Sequence, residues 1–397
     1  MKDGWEVKKL GELATVIAGQ SPKSSSYNQT ATGLPFYQGK KDYGERFLQP
    51  PTKWTTEVTK EAIAGDILMS VRAPVGPLNE ATETICIGRG LAAIRATGLK
   101  KNYLWYALTW LKPKIAGSEG AVFASINKAQ IADLPIPLPA LDEQKRIVYI
   151  LDEAFEGLDR ARENAEANLK SARQLFEVNL STAFELNGSS LPNNWEVKKL
   201  KELCNDFKKD IVDGPFGSNL KRKDYTSQGT PVLKIQNIKP FKIILKKMDF
   251  VSEQKAFELS RHTYRKDDII ITKLGQPLGV SAIVKDLDDG IIVADLVRVR
   301  ACKIDTEFLC YQLNSHFVSA HLNSLQKGTT RPRVQISAVR ELPIAVPPLD
   351  EQKRIVENLD QMSEQSRTLA AHYTSKLQDI SDLRQSLLQK AFEGELK

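Results

Sequence analysis

The eight residues LDEQKRIV stand at 141–148 and again at 349–356, so the fold must hold two copies of one frame. The match extends outward: LPIPLPALDEQKRIV (134–148) parallels LPIAVPPLDEQKRIV (342–356), and AFE at 183–185 parallels AFE at 391–393, all offset by 208 residues. WEVKKLGEL (5–13) parallels WEVKKLKEL (195–203) at an offset of 190, so the second copy carries 18 more residues inside. Between these ends the copies diverge. Two units are too few for a stacked solenoid, which leaves a duplication with constant ends and variable contents.

The segment after each LDEQKRIV predicts a long helix. Apolar or small residues recur at Ile147, Leu151, Ala154, Leu158, Ala161, Ala165, Leu169, Ala172, Phe176, Leu180 and Ala183, in steps of three and four. The second copy reads Ile355, Leu359, Met362, Ser366, Leu369, Tyr373, Leu377, Ile380, Leu387 and Ala391. Helix–helix packing is expected through Ile147, Leu151, Leu158 and Leu169 against Ile355, Leu359, Leu369, Ile380 and Leu387. Prolines fence both front ends, and Asp142 and Asp350 suit the exposed first-turn amides. About 37 residues at 1.5 Å each give roughly 55 Å. The simplest arrangement is an antiparallel pair with a globular domain at each end and a pseudo-twofold axis.

The charge balance points to the partner. The chain carries +7, yet residues 143–186 and 351–397 sum to −3 and −1, leaving +11 on the remainder. Basic excess on two globular domains suits two contacts with one polyanion. Strand-like runs dominate there: GDILMSVRAPVG (65–76) parallels DDIIITKLGQPLG (267–279), and CIGRGLAAIR (86–95) parallels IVADLVRVR (292–300). These place Arg72, Arg89, Lys273 and Gln276 at one rim. Further groups suited to phosphates or base edges are Lys40, Lys41, Arg46, Lys221, Arg222, Lys223, Lys234, Gln236, Asn237, Arg331 and Arg333. Trp5 and Trp195 hold matched frame positions and read as core anchors.

Signatures of catalysis are missing. There is no GxxxxGK[ST] phosphate loop, no methyl-donor glycine loop and no Asn/Asp-Pro-Pro-aromatic tetrapeptide. Glu143-Gln-Lys145 lies at a helix start, the wrong place for a PD…ExK nuclease site. Four scattered cysteines (Cys86, Cys204, Cys302, Cys310) and four unclustered histidines favour neither a zinc site nor a disulfide frame. The opening MKDGWEVKKL lacks a signal peptide's apolar core, and no run is long enough to span a bilayer, so a cytoplasmic location without membrane contact is expected.

The doubled frame, with GDILMSVRAPVG, CIGRGLAAIR and DGPFGSNLKRKDY…GTPVLKIQNI (213–238), resembles the specificity subunits of type I restriction–modification enzymes over essentially the whole chain. The resemblance implies an α+β fold: two target-recognition domains (1–142 and 188–350) joined by two long antiparallel coiled-coil spacer helices (143–187 and 351–397). Each domain would read half of a bipartite double-stranded DNA target. The helices would set the spacer and dock two adenine-methylating modification subunits, with restriction subunits joining them. The chain would be non-catalytic, with S-adenosylmethionine, ATP and magnesium on the partners. A recognition subunit serving a fused methyltransferase–nuclease is the alternative, and a coiled-coil adaptor a more distant one.

Overall fold

A computed structural model describes residues 4–116, 125–184, 192, 194–275, 277–326 and 332–396. In it the outer edges of each repeat are paired strands. Glu6–Lys9 runs antiparallel to Pro135–Leu138, with Val7 opposite Pro137, and Glu196–Lys199 runs antiparallel to Pro343–Val346, with Val197 opposite Ala345. WEVKKL and the proline-rich segment are therefore one clasp. A two-stranded ribbon tolerates the missing proline amides because both strands are edges. Lys9 reaches Asp133 at 2.8 Å. In the second repeat Lys199 and Lys201 both pair with Glu341 and hold its carboxyl below the usual glutamate range.

Contacts divide the chain into two units, Met1–Glu166 with Thr374–Lys397, and Ala167–Tyr373. In the first, a four-stranded sheet orders Ala14–Ala18, Leu91–Ala96, Ile67–Ser70 and Leu78–Glu80. A five-stranded sheet orders Tyr27–Asn28, Trp54–Thr55, Leu34–Tyr37, Ile85–Ile87 and Glu61–Ala62, with one parallel pairing, Phe36 beside Cys86. The second unit repeats the plan. Its four-stranded sheet is Ile211–Asp213, Leu296–Val299, Ile269–Thr272 and Ser281–Ile283. Its five-stranded sheet is Tyr225–Thr226, Asp249–Val251, Thr230–Leu233, Gly290–Ile292 and Thr263–Tyr264. The strands Ile67–Ser70 and Ile269–Thr272 are buried throughout, and each carries three consecutive apolar residues rather than an alternation. The hairpin Ile238–Lys239 with Lys242–Ile243 lies within the longer second repeat.

Among the helices of the described residues are α1 (Lys101–Ala116), α2 (Leu141–Ala183), α3 (Thr306–Leu313) and α4 (Leu349–Glu393). The two long ones hold 43 and 45 residues, and each contributes one stretch to each unit. At 1.5 Å per residue α2 is about 65 Å long. They run antiparallel: in the first unit Arg146 meets the Leu396 carbonyl at 2.7 Å and Asp159 meets Arg384 at 2.9 Å, and in the second Ser366 donates to the Ala172 carbonyl at 2.6 Å.

The repeated LDEQKRIV owes part of its letters to Gln144 and Gln352, which are buried. Gln144 donates to the Pro139 carbonyl at 3.0 Å and accepts the Lys100 amide at 3.4 Å, while Gln352 donates to Pro347 at 2.8 Å and accepts the Asp305 amide at 2.8 Å. Each glutamine thus ties a long helix's first turn to the clasp and to the segment entering α1 or α3. AFE likewise closes the cores. Phe392 packs on Tyr103 and Trp110 at 5.3 Å each, and Phe184 packs on Phe308 at 5.3 Å.

The stripe on α2 faces inward, with Ile147, Leu151, Ala165, Ala172 and Leu180 buried and Leu158 and Leu169 half-buried. On α4, Leu359 is buried, and Ile355, Ile380 and Leu387 are half-buried. Leu369 requires correction: it is 40% exposed. After the buried Ser366 the inward row steps by four to Ala370, then to Tyr373, Leu377, Ile380 and Arg384. A small residue beside the Ser366–Ala172 contact suits close helix approach, and the leucine is turned to the outside.

Candidate nucleic-acid interface

Backbone bonds gather one rim in each unit. In the first, Gly19 donates to Leu91 (2.9 Å), Gly90 to Gln38 (3.2 Å) and Val71 to Gly90 (3.0 Å). Arg72 and Arg89 therefore meet at one sheet end, with Lys40 and Lys41 following in a tight turn, and all four side chains are exposed. In the second unit Gly214 donates to Leu296 (3.2 Å), Val293 to Leu233 (3.1 Å), Lys273 to Asp295 (3.0 Å) and Val334 to Lys273 (2.9 Å). Lys234, Gln236, Lys273 and Arg333 are collected there. The chains cross so closely that a Cβ on Gly19 would lie 2.2 Å from the Gly88 oxygen, and one on Gly214 2.2 Å from the Val293 oxygen. Only glycine fits either crossing.

Of the basic and amide candidates, Lys40, Lys41, Arg72, Arg89, Lys221, Arg222, Lys223, Gln236 and Arg333 are exposed and available to a polyanion. Lys221, Arg222 and Lys223 sit at a tight turn leading into Tyr225, whose ring lies 4.1 Å below the Lys234 ammonium. Three others have their polar groups engaged by neighbouring residues. The Asn237 side chain is buried, accepting the Lys234 amide at 3.0 Å and donating to Ile244 at 2.9 Å, so it closes a turn and presents no edge to a base. Lys273 is ion-paired with Asp213 at 2.7 Å and largely covered. Arg46 spans Glu80 at 3.3 Å and Asn102 at 3.0 Å and lies over the Trp105 ring. Lys234 is half-buried and paired with Asp249. Gln276 and Arg331 lie outside the described residues.

The sequence reading missed two kinds of group. Phe216, 70% exposed in the loop after Gly214, offers a flat apolar face to solvent. Asp66 and Asp268 are buried at matched positions and hold Arg95 and Arg300 through two bonds each, at 2.8–2.9 Å and 2.7 Å. GDILM and DDIII thus carry a structural aspartate behind the rim. The signal was a second repeat inside the variable region, Asp with an Arg on the neighbouring strand. Asp66→Ala should lower unfolding free energy by about 1.5–3 kcal/mol, the range for hydrogen bonds to charged groups, measured as a lower denaturation midpoint; a shift under about 0.5 kcal/mol would remove this role.

The thiols are consistent with packing roles. Burial pushes the Cys204 and Cys310 thiols up to about 12, and Cys86 is buried, whereas Cys302 is exposed. Native alkylation at pH 8 should label Cys302 first, and the other three only on unfolding; fast labelling of Cys310 would contradict its burial. Among the described residues no group of three or more His, Cys, Asp or Glu is arranged to hold a metal, and no helix is long and apolar enough to cross a membrane.

Two α+β modules of one plan, each ending in an exposed basic rim and each bound to one stretch of both long helices, define a duplicated two-module protein. The chain belongs to the type I restriction modification DNA specificity domain family, whose model matches residues 2–169 and 192–378. It is 39% identical over 184 residues to a provisionally named type I restriction enzyme MjaX specificity subunit of Methanocaldococcus jannaschii, an alignment covering 45% of this chain and 43% of that one. With the MjaVIII specificity subunit of the same organism it is 25% identical over 386 residues, 90% of this chain and 85% of that one. A structure described as the basis of complex assembly and conformational transition of the type I R-M system shares the fold, with a TM-score of 0.81 at 20% identity over 100% of this chain and 99% of that one.

Proposed function

We propose that this chain is the DNA-reading subunit of a type I restriction–modification complex, each rim reading one half of a split target. The observation that carries the reading is that two units with the same internal plan expose different groups: Arg72 and Arg89 with Lys40 and Lys41 in one, Gln236 and Arg333 in the other, with Lys221, Arg222 and Lys223 in the turn before Tyr225. Arginine and lysine suit guanine O6 and N7, and glutamine suits adenine N6 and N7. Two unlike readers on one chain address an asymmetric, interrupted sequence. Half-sites about one helical turn apart would present both to the same face of the duplex.

In this reading α2 and α4 set the spacer, and their equivalent outer faces receive two modification subunits, with restriction subunits joining that assembly. S-adenosylmethionine, ATP and magnesium act on those partners, and the modification subunit flips the target adenine from the stack while this chain holds the duplex in register. The test is genome-wide adenine methylation in cells expressing this chain with its modification subunit, against cells lacking only this chain. A split motif that vanishes on deletion is the expected result. An unchanged methylome with the complex assembled would refute the reading.

A further inference from the structure

The two units seat their modules on the long helices by different chemistry, at positions the repeat makes equivalent. The offset of 208 aligns Asp152 with Asp360, Phe155 with Ser363 and Phe176 with Arg384, and Tyr106 of α1 corresponds to Tyr311 of α3. The tyrosine–aspartate bond is kept in both: Tyr106 donates to Asp152 at 2.5 Å, and Tyr311 donates to Asp360. Around that bond the units part. In the second, the turn of the Ile238–Ile243 hairpin drives Phe241 against Phe176 and Tyr311, with ring centroids 5.6 and 5.1 Å away. Phe241 has φ +62°, in the left-handed region that non-glycine residues rarely adopt, so packing fixes this wedge against a local backbone cost.

In the first unit no aromatic ring enters from the corresponding turn, whose tip reads Gly44-Glu45-Arg46-Phe47. Instead a cleft of about 770 Å³ opens there, lined among others by Tyr106, Asp152, Phe155 and Arg384. A line of charges crosses it. Glu80, on a sheet strand, holds Arg46; next to it Glu45 pairs with Arg162 of α2; Arg162 lies 3.9 Å from Asp159, and Asp159 takes Arg384 of α4 at 2.9 Å. Arg384, standing where the second unit has Phe176, covers Phe155 at 4.4 Å.

We infer that Glu45 and Arg162 are positioning residues: they hold the first module in its reading pose across an open cleft by an ionic strap, while Phe241 locks the second by packing. The inference rests on the DNA-reading function proposed above. Glu45 is 68% and Arg162 35% exposed at the side chain, so salt screens this strap, whereas it leaves an aromatic wedge in place. The first half-site should therefore lose its fixed register as ionic strength rises.

The complex reconstituted with its modification subunits is given a duplex library in which the two half-sites are separated by the native spacer or by one base pair more or fewer. The readout is the ratio of methylation at off-length spacers to that at the native one, which cancels the general salt dependence of DNA binding. Wild type should show a low ratio that rises with salt. Arg162→Gln and Glu45→Gln should each raise it severalfold, up to about fivefold, at low salt and make it insensitive to salt, and Arg162→Lys should restore much of the wild-type ratio. Glu45 is exposed and Arg162 half-buried, and unchanged denaturation midpoints establish that the variants fold. A wild-type spacer profile in Arg162→Gln and Glu45→Gln overturns the inference alone. Failure of the wild-type complex to modify any split target overturns the functional reading, and the inference with it.

Discussion

Removing one heptad from each long helix should abolish modification at the native spacer while leaving both half-site sequences unchanged. The seven residues are taken from α2 between Asp159 and Ala172, and from α4 between Ser366 and Arg384, so the contacts outside the cut are kept. Cutting both helices by seven preserves the three-and-four stripe; cutting α2 alone would slide it against α4. Seven residues shorten a helix by about 10 Å, the length of about three base pairs at 3.4 Å each. Three base pairs also turn the duplex by about a third of a revolution, whereas a heptad leaves the helix faces nearly in phase. The new optimum should therefore lie at a shorter spacer and be weaker than the native one, and the native spacer should lose about 100-fold or more in methylation rate, the scale of a misplaced reacting group. Methylation of a spacer library measures both. An unchanged spacer preference would mean that the helices do not set the distance between the readers.

The frame was legible in the sequence because it is repeated and because its periodicities are simple. The stripe from Ile147 to Ala183 follows helical spacing, and LDEQKRIV marks both helix starts. What could not be read was the direction in which single side chains point inside the variable regions. Asn237 lies in a polar run that looks suited to a base edge, yet its amide closes a tight turn. Lys273 and Arg46 find carboxylates, Asp213 and Glu80, that lie 60 and 34 residues away in sequence. No local pattern announces such a partner. Leu369 was misplaced for a different reason: steps of three and four are equally helical, and the choice at Ser366 is made by close contact with Ala172 on the other helix. The matched Asp66–Arg95 and Asp268–Arg300 pairs show that the variable regions also carry constant parts, hidden because each is two residues wide.

Phe392→Ala should be the most destabilising single change in the first unit, and Phe184→Ala its counterpart in the second. Both rings are about 1% exposed. Phe392 sits between Tyr103 and Trp110, and Phe184 against Phe308, so truncation leaves a cavity lined by rings that cannot collapse into it. Loss of a buried phenylalanine costs about 3–5 kcal/mol, and for a unit of this size each kcal/mol lowers Tm by about 2–4 °C. Phe392 lies in the last turn of α4 and Phe184 directly follows the end of α2, and each packs on the α1 or α3 of its own unit, so the two variants should separate the units' unfolding. In Phe392→Ala a first calorimetric transition should move down by about 6–20 °C while the second keeps its wild-type position. Phe184→Ala should do the reverse. If both substitutions shift one common transition by the same amount, the long helices couple the two cores into a single cooperative body. In that case the ends marked AFE join the two units instead of completing each separately.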